Sequence, residues 1–243
     1  MNKKFIFLVP CFNCGKFIFN NSKKLIKEIK KNKINYELLF LNDGSSDNTH
    51  NELKRVKSLN KKIKIISYKK NLGKSSILKI AIKNLSNCIV VFYDCDLPYF
   101  EYLTKLILML KSGKKFVTID RRSRKSKFDN NQQNIYQISR YVISKLVNII
   151  ISYLLMKNYK GDTQSGLKGF QVDNKLKKQN FVSTKFFLDA EIISYYTKNN
   201  VHITSIPINY KISKQSSIKI FDFNNIIYLL ELIKIIFNRF SKF

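Results

Sequence analysis

Residues 88–96 read CIVVFYDCD: an uncharged run of six, then Asp94, Cys95 and Asp96. A short apolar run of this kind is a strand buried on both faces. Two carboxylates one residue apart at its end are costly to place unless something cationic neutralises them. On either side, runs at 4–10, 36–41, 62–67 and 116–119 also read as strands, and 15–31, 47–58, 74–85 and 100–110 read as the helices between them. Strand–helix alternation builds an α/β fold, a mostly parallel sheet with right-handed crossovers flanked by helices. Ligands in such sheets bind outside the carboxyl ends of the strands, so the chemistry is expected where VPCFNCGK (9–16), LNDGSSD (41–47) and the D-C-D triplet lie.

The chain of 243 residues is 44% hydrophobic and 13% aromatic, enough for one sizeable core. Forty-five Lys and Arg against 16 Asp and Glu give a net charge of +29 and a pI near 9.9, which draws a protein to polyanions and anionic lipid. The excess is dispersed lysine beside abundant Ile and Asn, a pattern that AT-rich codon usage also produces. A nucleic-acid binder needs a clustered basic face with interleaved aromatics, and D-C-D repels phosphates without a metal. Nucleic acid is therefore not expected as a partner.

After residue 119 the character changes. Residues 121–134 (RRSRKSKFDNNQQN) are polar, basic and aperiodic, and read as a flexible loop. A long helix at 135–156 follows, then a compact polar turn in GDTQSGLKGF (161–170), a helix at 188–198, a strand at 201–210 and an apolar helix at 222–240. There is no internal repeat or clear domain break, so 1–243 is read as one domain. The start, MNKKFIFLVPCFN, does not read as a signal peptide, because Pro10 and Asn13 interrupt its apolar run. The apolar stretches 141–156 and 226–237 contain Lys145 and Asn148, and Glu231 and Lys234. Both fall short of the about 20 apolar residues a spanning helix needs; they are expected to lie on a membrane surface or pack in the core.

The C-x-x-C of Cys11 and Cys14 invites a zinc or dithiol reading. No second Cys or His pair in the sequence completes a zinc site, and Cys11 is expected to be a small buried apolar side chain. The four cysteines form no secreted disulfide framework, which points to a reducing compartment.

The order of the pieces is more specific than any one of them. PCFN (10–13), NDGSSDNT (42–49), NLGK (71–74), DCD (94–96), DTQSGLKGF (162–170), FLDAE (187–191) and IPINY (206–210) together resemble family 2 glycosyltransferases. The later motifs look like the branch holding dolichyl-phosphate mannose and glucose synthases and undecaprenyl-phosphate sugar transferases. The resemblance implies a GT-A (Rossmann-like) fold with amphipathic C-terminal helices. It implies a donor half in 1–120, an acceptor half in 121–220 and a C-terminal amphipathic helix in 221–243. The activity implied is inverting, metal-dependent transfer of a hexose from a UDP- or GDP-linked sugar to a polyprenyl (dolichyl or undecaprenyl) phosphate. The enzyme would sit on the cytoplasmic face of an anionic membrane; a glycan hydroxyl is the alternative acceptor.

Carried over position by position, Pro10, Phe12 and Asn13 would flank base and ribose, Asp43 would bond the base, and Lys74, Asp94 and Cys95 would lie at the nucleotide. Asp94 and Asp96 would hold Mg²⁺ or Mn²⁺ against the diphosphate. Arg121 and Arg140 would clamp the acceptor phosphate with Ser144, which stands four residues after Arg140 on one helix face. Arg122 and Arg124 are left as solvated basic residues. Gln164, Ser165 and Lys168 would line the sugar pocket, Asp189 would approach the reacting centre and serve as base for a hydroxyl acceptor, and Glu191 would support it. Ser217 and Lys219 would touch phosphates from a mobile segment. One departure is plain: relatives carry an acidic nucleotide contact directly after the asparagine, where this chain has Cys14.

Overall fold

The computed structural model describes residues 3–129, 135–156, 159–210 and 224–240. The first half alternates strictly: β1 (Phe5–Cys11), α1 (Ile18–Lys31), β2 (Tyr36–Asp43), α2 (Thr49–Ser58), β3 (Ile63–Tyr68), α3 (Lys74–Lys83) and β4 (Cys88–Tyr93). A 3₁₀ turn at Phe100–Tyr102 leads into α4 (Leu103–Lys111), β5 (Phe116–Asp120), β6 (Lys127–Phe128) and α5 (Ile135–Leu155). The remainder is β7 (Leu167–Val172), α6 (Asn174–Lys177), α7 (Leu188–Lys198), β8 (Ile203–Pro207), β9 (Asn209–Tyr210) and α8 (Asn224–Phe240).

Seven strands form one sheet in the order β3-β2-β1-β4-β7-β5-β8. β1 to β4 run parallel, with Phe5 between Tyr36 and Ile89. β7 is antiparallel to both β4 and β5, and β8 pairs parallel with β5. The continuous apolar strands follow from helices on both faces. Phe5, Phe7 and Val9 of β1 pack with Leu25 and Ile29 of α1, Leu53 of α2 and Leu106 of α4. Ile6 and Leu8 point the other way, to Ile77 and Leu78 of α3, Ile151 of α5 and Ile192 of α7. Each such side chain contributes about 1.5–3 kcal/mol by leaving water, so a charge at Phe7 or Leu8 would break the layer it fills.

The expected α/β architecture is the one observed, with three differences. The turn expected at 161–170 gives way at Leu167 to β7, which inserts between β4 and β5 with Phe170 beside Val90 and Phe116. The strand expected at 201–210 is two strands in two sheets, β8 in the main sheet and β9 paired with β6. That same β6 lies inside the segment expected to be a loop: Lys127 pairs with Asn209, and Phe128 stacks on Tyr141 of α5 with ring centroids 4.4 Å apart.

Candidate active site

The carboxyl ends of β1 and β2 are adjacent, Cys11 beside Asn42, and the loops that follow are knitted together. Asn13, at φ 48°, donates its backbone N–H to Ser45 Oγ (3.1 Å) and accepts the Ser46 N–H at its side-chain oxygen (2.9 Å). Cys14 N–H goes to Thr49 Oγ1 (2.8 Å) and Gly15 N–H to Asp47 Oδ2 (2.9 Å). Pro10 is half-buried at the strand end, and Phe12 stands 51% exposed beyond it. Asp43, expected at the base, is buried and already accepts the N–H groups of Leu72 (2.7 Å) and Gly73 (2.9 Å), so it holds the β3–α3 loop. Gly73 sits at φ 93°, where a Cβ would stand 2.4 Å from Thr184 O.

Charges of both signs converge at the ends of β4 and β7. Lys74, the first residue of α3, is ion-paired with Asp94. Burial works against its ammonium, but Asp94, then Asp189 and Asp96, outweigh it and hold the lysine above its ordinary range. Burial first, and Asp94 next, push the Asp96 carboxyl up. Gly166 passes so close that a Cβ there would meet Asp94 Oδ2 and Pro98 Cγ, each at 2.9 Å. Lys168 is buried in β7 and pairs with Asp189 Oδ1 of α7 at 2.8 Å. The expected sugar-pocket lysine and the expected base are thus partners.

The acceptor side requires corrections. Arg121, expected to clamp a phosphate, is engaged by buried Asp162, to which its Nε and one terminal nitrogen (2.9 Å) both donate; that nitrogen also donates to Gln164 O (3.1 Å). Burial opposes its charge, but Asp162 outweighs it and raises the guanidinium. The fork therefore fixes the 162–164 turn, where Gln164 N–H also reaches Asp162 Oδ1 (3.0 Å). Ser165, expected at the sugar, is buried and donates its hydroxyl to Leu167 O (2.9 Å) within the chain. Arg122, read as merely solvated, donates to Ser144 Oγ (2.8 Å), while its Nε is buried without a hydrogen-bond partner among the described residues. Ser144 in turn donates to Tyr141 O (2.9 Å). Arg140 lies on α5 one turn before Ser144.

Glu191, expected to support Asp189, accepts the N–H groups of Val182 and Ser183, both at 2.9 Å, and so holds the backbone before α7. A residue the sequence reading passed over does more: Glu231 of α8 accepts from Ser183 Oγ (2.7 Å) and from the N–H groups of Thr184, Lys185 (2.7 Å) and Phe186 (3.3 Å). Carbonyls of that same loop receive the Ser75 and Ser76 N–H groups at the start of α3. The Glu231 carboxylate thus anchors the loop that sets both Lys74 and Asp189. Its partners lie 45 to 48 residues away, and no short-range spacing signals them. Ser217 and Lys219 lie outside the described residues.

The cysteines also require a correction. Cys95, expected at the nucleotide, turns its sulfur toward Cys11 and Cys14, and the three sulfurs lie within 4.8 Å of one another. The third thiol absent from the linear motif comes from the D-C-D turn.

Asp94 and Asp96 offer the oxygen ligands that hard divalent cations take. Burial first, and repulsion from Asp94 second, raise the Asp96 carboxyl, and a bound cation would offset both. The pair fits Mg²⁺ or Mn²⁺.

Comparison with known proteins identifies the family and the fold. The family described as Glycosyl transferase family 2 matches residues 6–171. CsbB of Bacillus subtilis (strain 168), a protein named as a glycosyltransferase, is 31% identical over 98 residues, 40% of this chain and 30% of its own length. The uncharacterized glycosyltransferase YkcC of the same organism is 30% identical over 121 residues, 49% of this chain and 37% of its own length. The aligned part of the chain thus spans about a third of these relatives. Among solved structures, glucosyl-3-phosphoglycerate synthase from Mycobacterium tuberculosis with uridine-diphosphate superposes with a TM-score of 0.64 at 16% identity, covering 96% of this chain and 80% of that one. The same enzyme with Mn²⁺, uridine-diphosphate and phosphoglyceric acid gives 0.65 at 16% identity, covering 98% and 78%. At this identity the likeness is one of fold.

Proposed function

The chain belongs to glycosyl transferase family 2, and from that premise we propose that it moves a hexose from a UDP- or GDP-linked donor to a polyprenyl phosphate on the cytoplasmic face of a membrane. The observation that carries the choice of acceptor is the Lys168–Asp189 pair. A hydroxyl acceptor must lose a proton to a base. Were Asp189 to take that proton, it would leave the buried Lys168 ammonium without its counter-charge, a costly state. A lipid phosphate arrives already ionised and needs positioning and charge screening instead.

The chain's own groups supply both. Lys74, held charged by three carboxylates, is placed to follow the diphosphate as negative charge grows on it. Mg²⁺ or Mn²⁺ held by Asp94 and Asp96 would supply Lewis-acid stabilisation of that leaving group. Arg122, with an unpartnered Nε among the described residues, takes over the phosphate clamp expected of Arg121, together with Arg140. Displacement is in line at the anomeric carbon: the acceptor oxygen forms the new bond as the bond to the diphosphate breaks, with inversion.

Support for the membrane surface comes from α5 and α8. One face of α5 is committed to the site, where Asn148 donates to Gly161 O (3.1 Å) and accepts from Thr163 N–H (2.8 Å). The other exposes Val142, Leu146, Ile149, Ile150 and Tyr153, and α8 exposes Ile227, Leu230, Ile233 and Phe237. The apolar stretch expected to fall short of a spanning helix begins earlier, at Ile135, so by length and composition α5 is apolar enough to cross a membrane, with 21 residues and a mean hydropathy of 1.4. Its bonds to Gly161 and Thr163 favour a helix lying in the interface.

The test is a panel of radiolabelled UDP- and GDP-sugars with Mn²⁺, offered undecaprenyl phosphate in one arm and a hydroxyl-bearing glycan in the other. Label in an acid-labile, solvent-extractable lipid is the expected result. Transfer to the glycan with none to the lipid would overturn the acceptor assignment.

A further inference from the structure

Three thiols meet beneath the D-C-D turn: Cys11 from the end of β1, Cys14 from the loop after it and Cys95 from between the two carboxylates, all within 4.8 Å of one another. We propose that this trio is a second metal site, selective for a thiophilic d¹⁰ cation such as Zn²⁺ and separate from the hard-metal site at Asp94 and Asp96. Sulfur ligands select borderline and soft cations, whereas carboxylates suit Mg²⁺ and Mn²⁺. Zn–S bonds of about 2.3 Å in tetrahedral geometry place sulfurs about 3.8 Å apart. The trio therefore needs to close by no more than about 1 Å, which side-chain rotation supplies.

The surroundings are built to hold the three in place. The backbone of Cys14 is fixed by Thr49 Oγ1 (2.8 Å), whose hydroxyl also lies 3.8 Å from the Cys14 sulfur. Asn21 of α1 donates to Cys95 O at 3.0 Å. Cys11 and Cys14 are buried, while Cys95 is part-exposed and gives a path of entry. A metal takes each thiol as its thiolate. Binding releases the thiol protons to solvent, and three protein ligands leave a fourth position for water. An occupied site would tie the end of β1 to the turn that carries Asp94 and Asp96.

The test uses the full chain, reduced and stripped with a chelator, then titrated with Zn²⁺ against a chromophoric competitor, and separately with Cd²⁺ for thiolate-to-metal ultraviolet absorption. One Zn²⁺ per chain is expected, and Asp96→Asn should leave it in place because the carboxylates are not ligands. Cys14→Ser and Cys95→Ser should weaken binding by more than the roughly 10- to 100-fold that losing an outer partner costs, while Cys88→Ser on β4 should not. The Cd²⁺ absorption is read on the unsubstituted chain and does not depend on any variant folding. Its absence, or Zn²⁺ affinity unchanged in both Cys14→Ser and Cys95→Ser, overturns the site.

Discussion

Lys168 Nζ lies 2.8 Å from Asp189 Oδ1, and both residues are buried. The pair joins β7 to the first turn of α7, so one contact sets a strand inserted into the sheet and the helix carrying the acid. Burial lowers Lys168 from its ordinary range and Asp189 opposes that shift, so the ammonium depends on its partner. Asp189→Asn strands it and should cost about 3–5 kcal/mol. Lys168→Met should cost less, because Asp189 keeps the attraction of Lys74. Urea unfolding of the two variants checks the order, and the reverse order would count against the pair as described.

Arg121 and Asp162 make the acid limb of stability predictable. Burial alone would raise the Asp162 carboxyl, but Arg121 overrides it and holds the group below its ordinary value of 3.8. A depressed carboxyl binds fewer protons folded than unfolded, so its contribution is present above the unfolded value and is lost as pH falls through the folded one. The wild-type chain should therefore lose stability on acidification below about pH 4. Arg121→Gln should start less stable and show a flatter limb. Thermal or urea midpoints across that range would expose an unchanged slope, which the pairing does not permit.

Asp96 gives the most direct test of the hard-metal site. Asp96→Asn keeps the shape but removes the proposed ligand, together with the buried charge that burial first and Asp94 second disfavour. Turnover at saturating Mn²⁺ should fall by about 10²- to 10³-fold, the scale of losing one electrostatic stabiliser, with the Mn²⁺ requirement shifted to higher concentration. Full activity in the variant would remove Asp96 from the site.

Legibility in the sequence followed distance along the chain. β1, β2 and β4 were readable because burial on both faces writes an unbroken apolar run, and the acids at their ends stood out against it. β7 was hidden because Lys168, Gly169 and Gln171 break any strand pattern. The lysine is buried there through its pairing with Asp189, 21 residues later in the numbering. Arg121 reads as the phosphate clamp and Arg122 as solvated, because nothing in two adjacent basic residues reports that Asp162 engages the first and Ser144 the second. Cys95 read as part of D-C-D, since nothing in a linear motif reports that its sulfur turns back toward β1.

Glu231 anchors the 183–186 loop from α8, and three backbone donors plus a hydroxyl converge on one carboxylate. Charge-assisted hydrogen bonds contribute roughly 1.5–3 kcal/mol each, and removing the acceptor leaves the donors unsatisfied. Glu231→Ala should destabilise by about 3 kcal/mol or more. It should also speed amide exchange at Thr184 and Lys185 ahead of the sheet. Because the loop also receives Ser75 and Ser76, kcat should fall although Glu231 touches none of the charged site residues directly. Amide protection left intact by the substitution would mean the loop is held by other contacts.

The apolar face of α5 separates membrane docking from folding. Leu146 and Ile150 are four residues apart, hence on one face, and are 54% and 47% exposed. Replacing both with Glu changes little inside the protein, about 0.5 kcal/mol or less per exposed site. On a bilayer each substitution forfeits apolar burial and adds a charge repelled by anionic headgroups, so vesicle affinity should drop by about 10-fold or more per residue. Cosedimentation with anionic liposomes at low salt checks this. The +29 net charge adds a second, salt-sensitive attraction, so wild-type binding should weaken with salt yet persist, whereas the double variant should lose it entirely. Turnover of a short-chain acceptor in detergent should survive in the variant while turnover of vesicle-embedded acceptor falls. Equal loss on both acceptors would instead place the defect in the site that Asn148 supports, and equal retention would mean α5 does not meet the membrane.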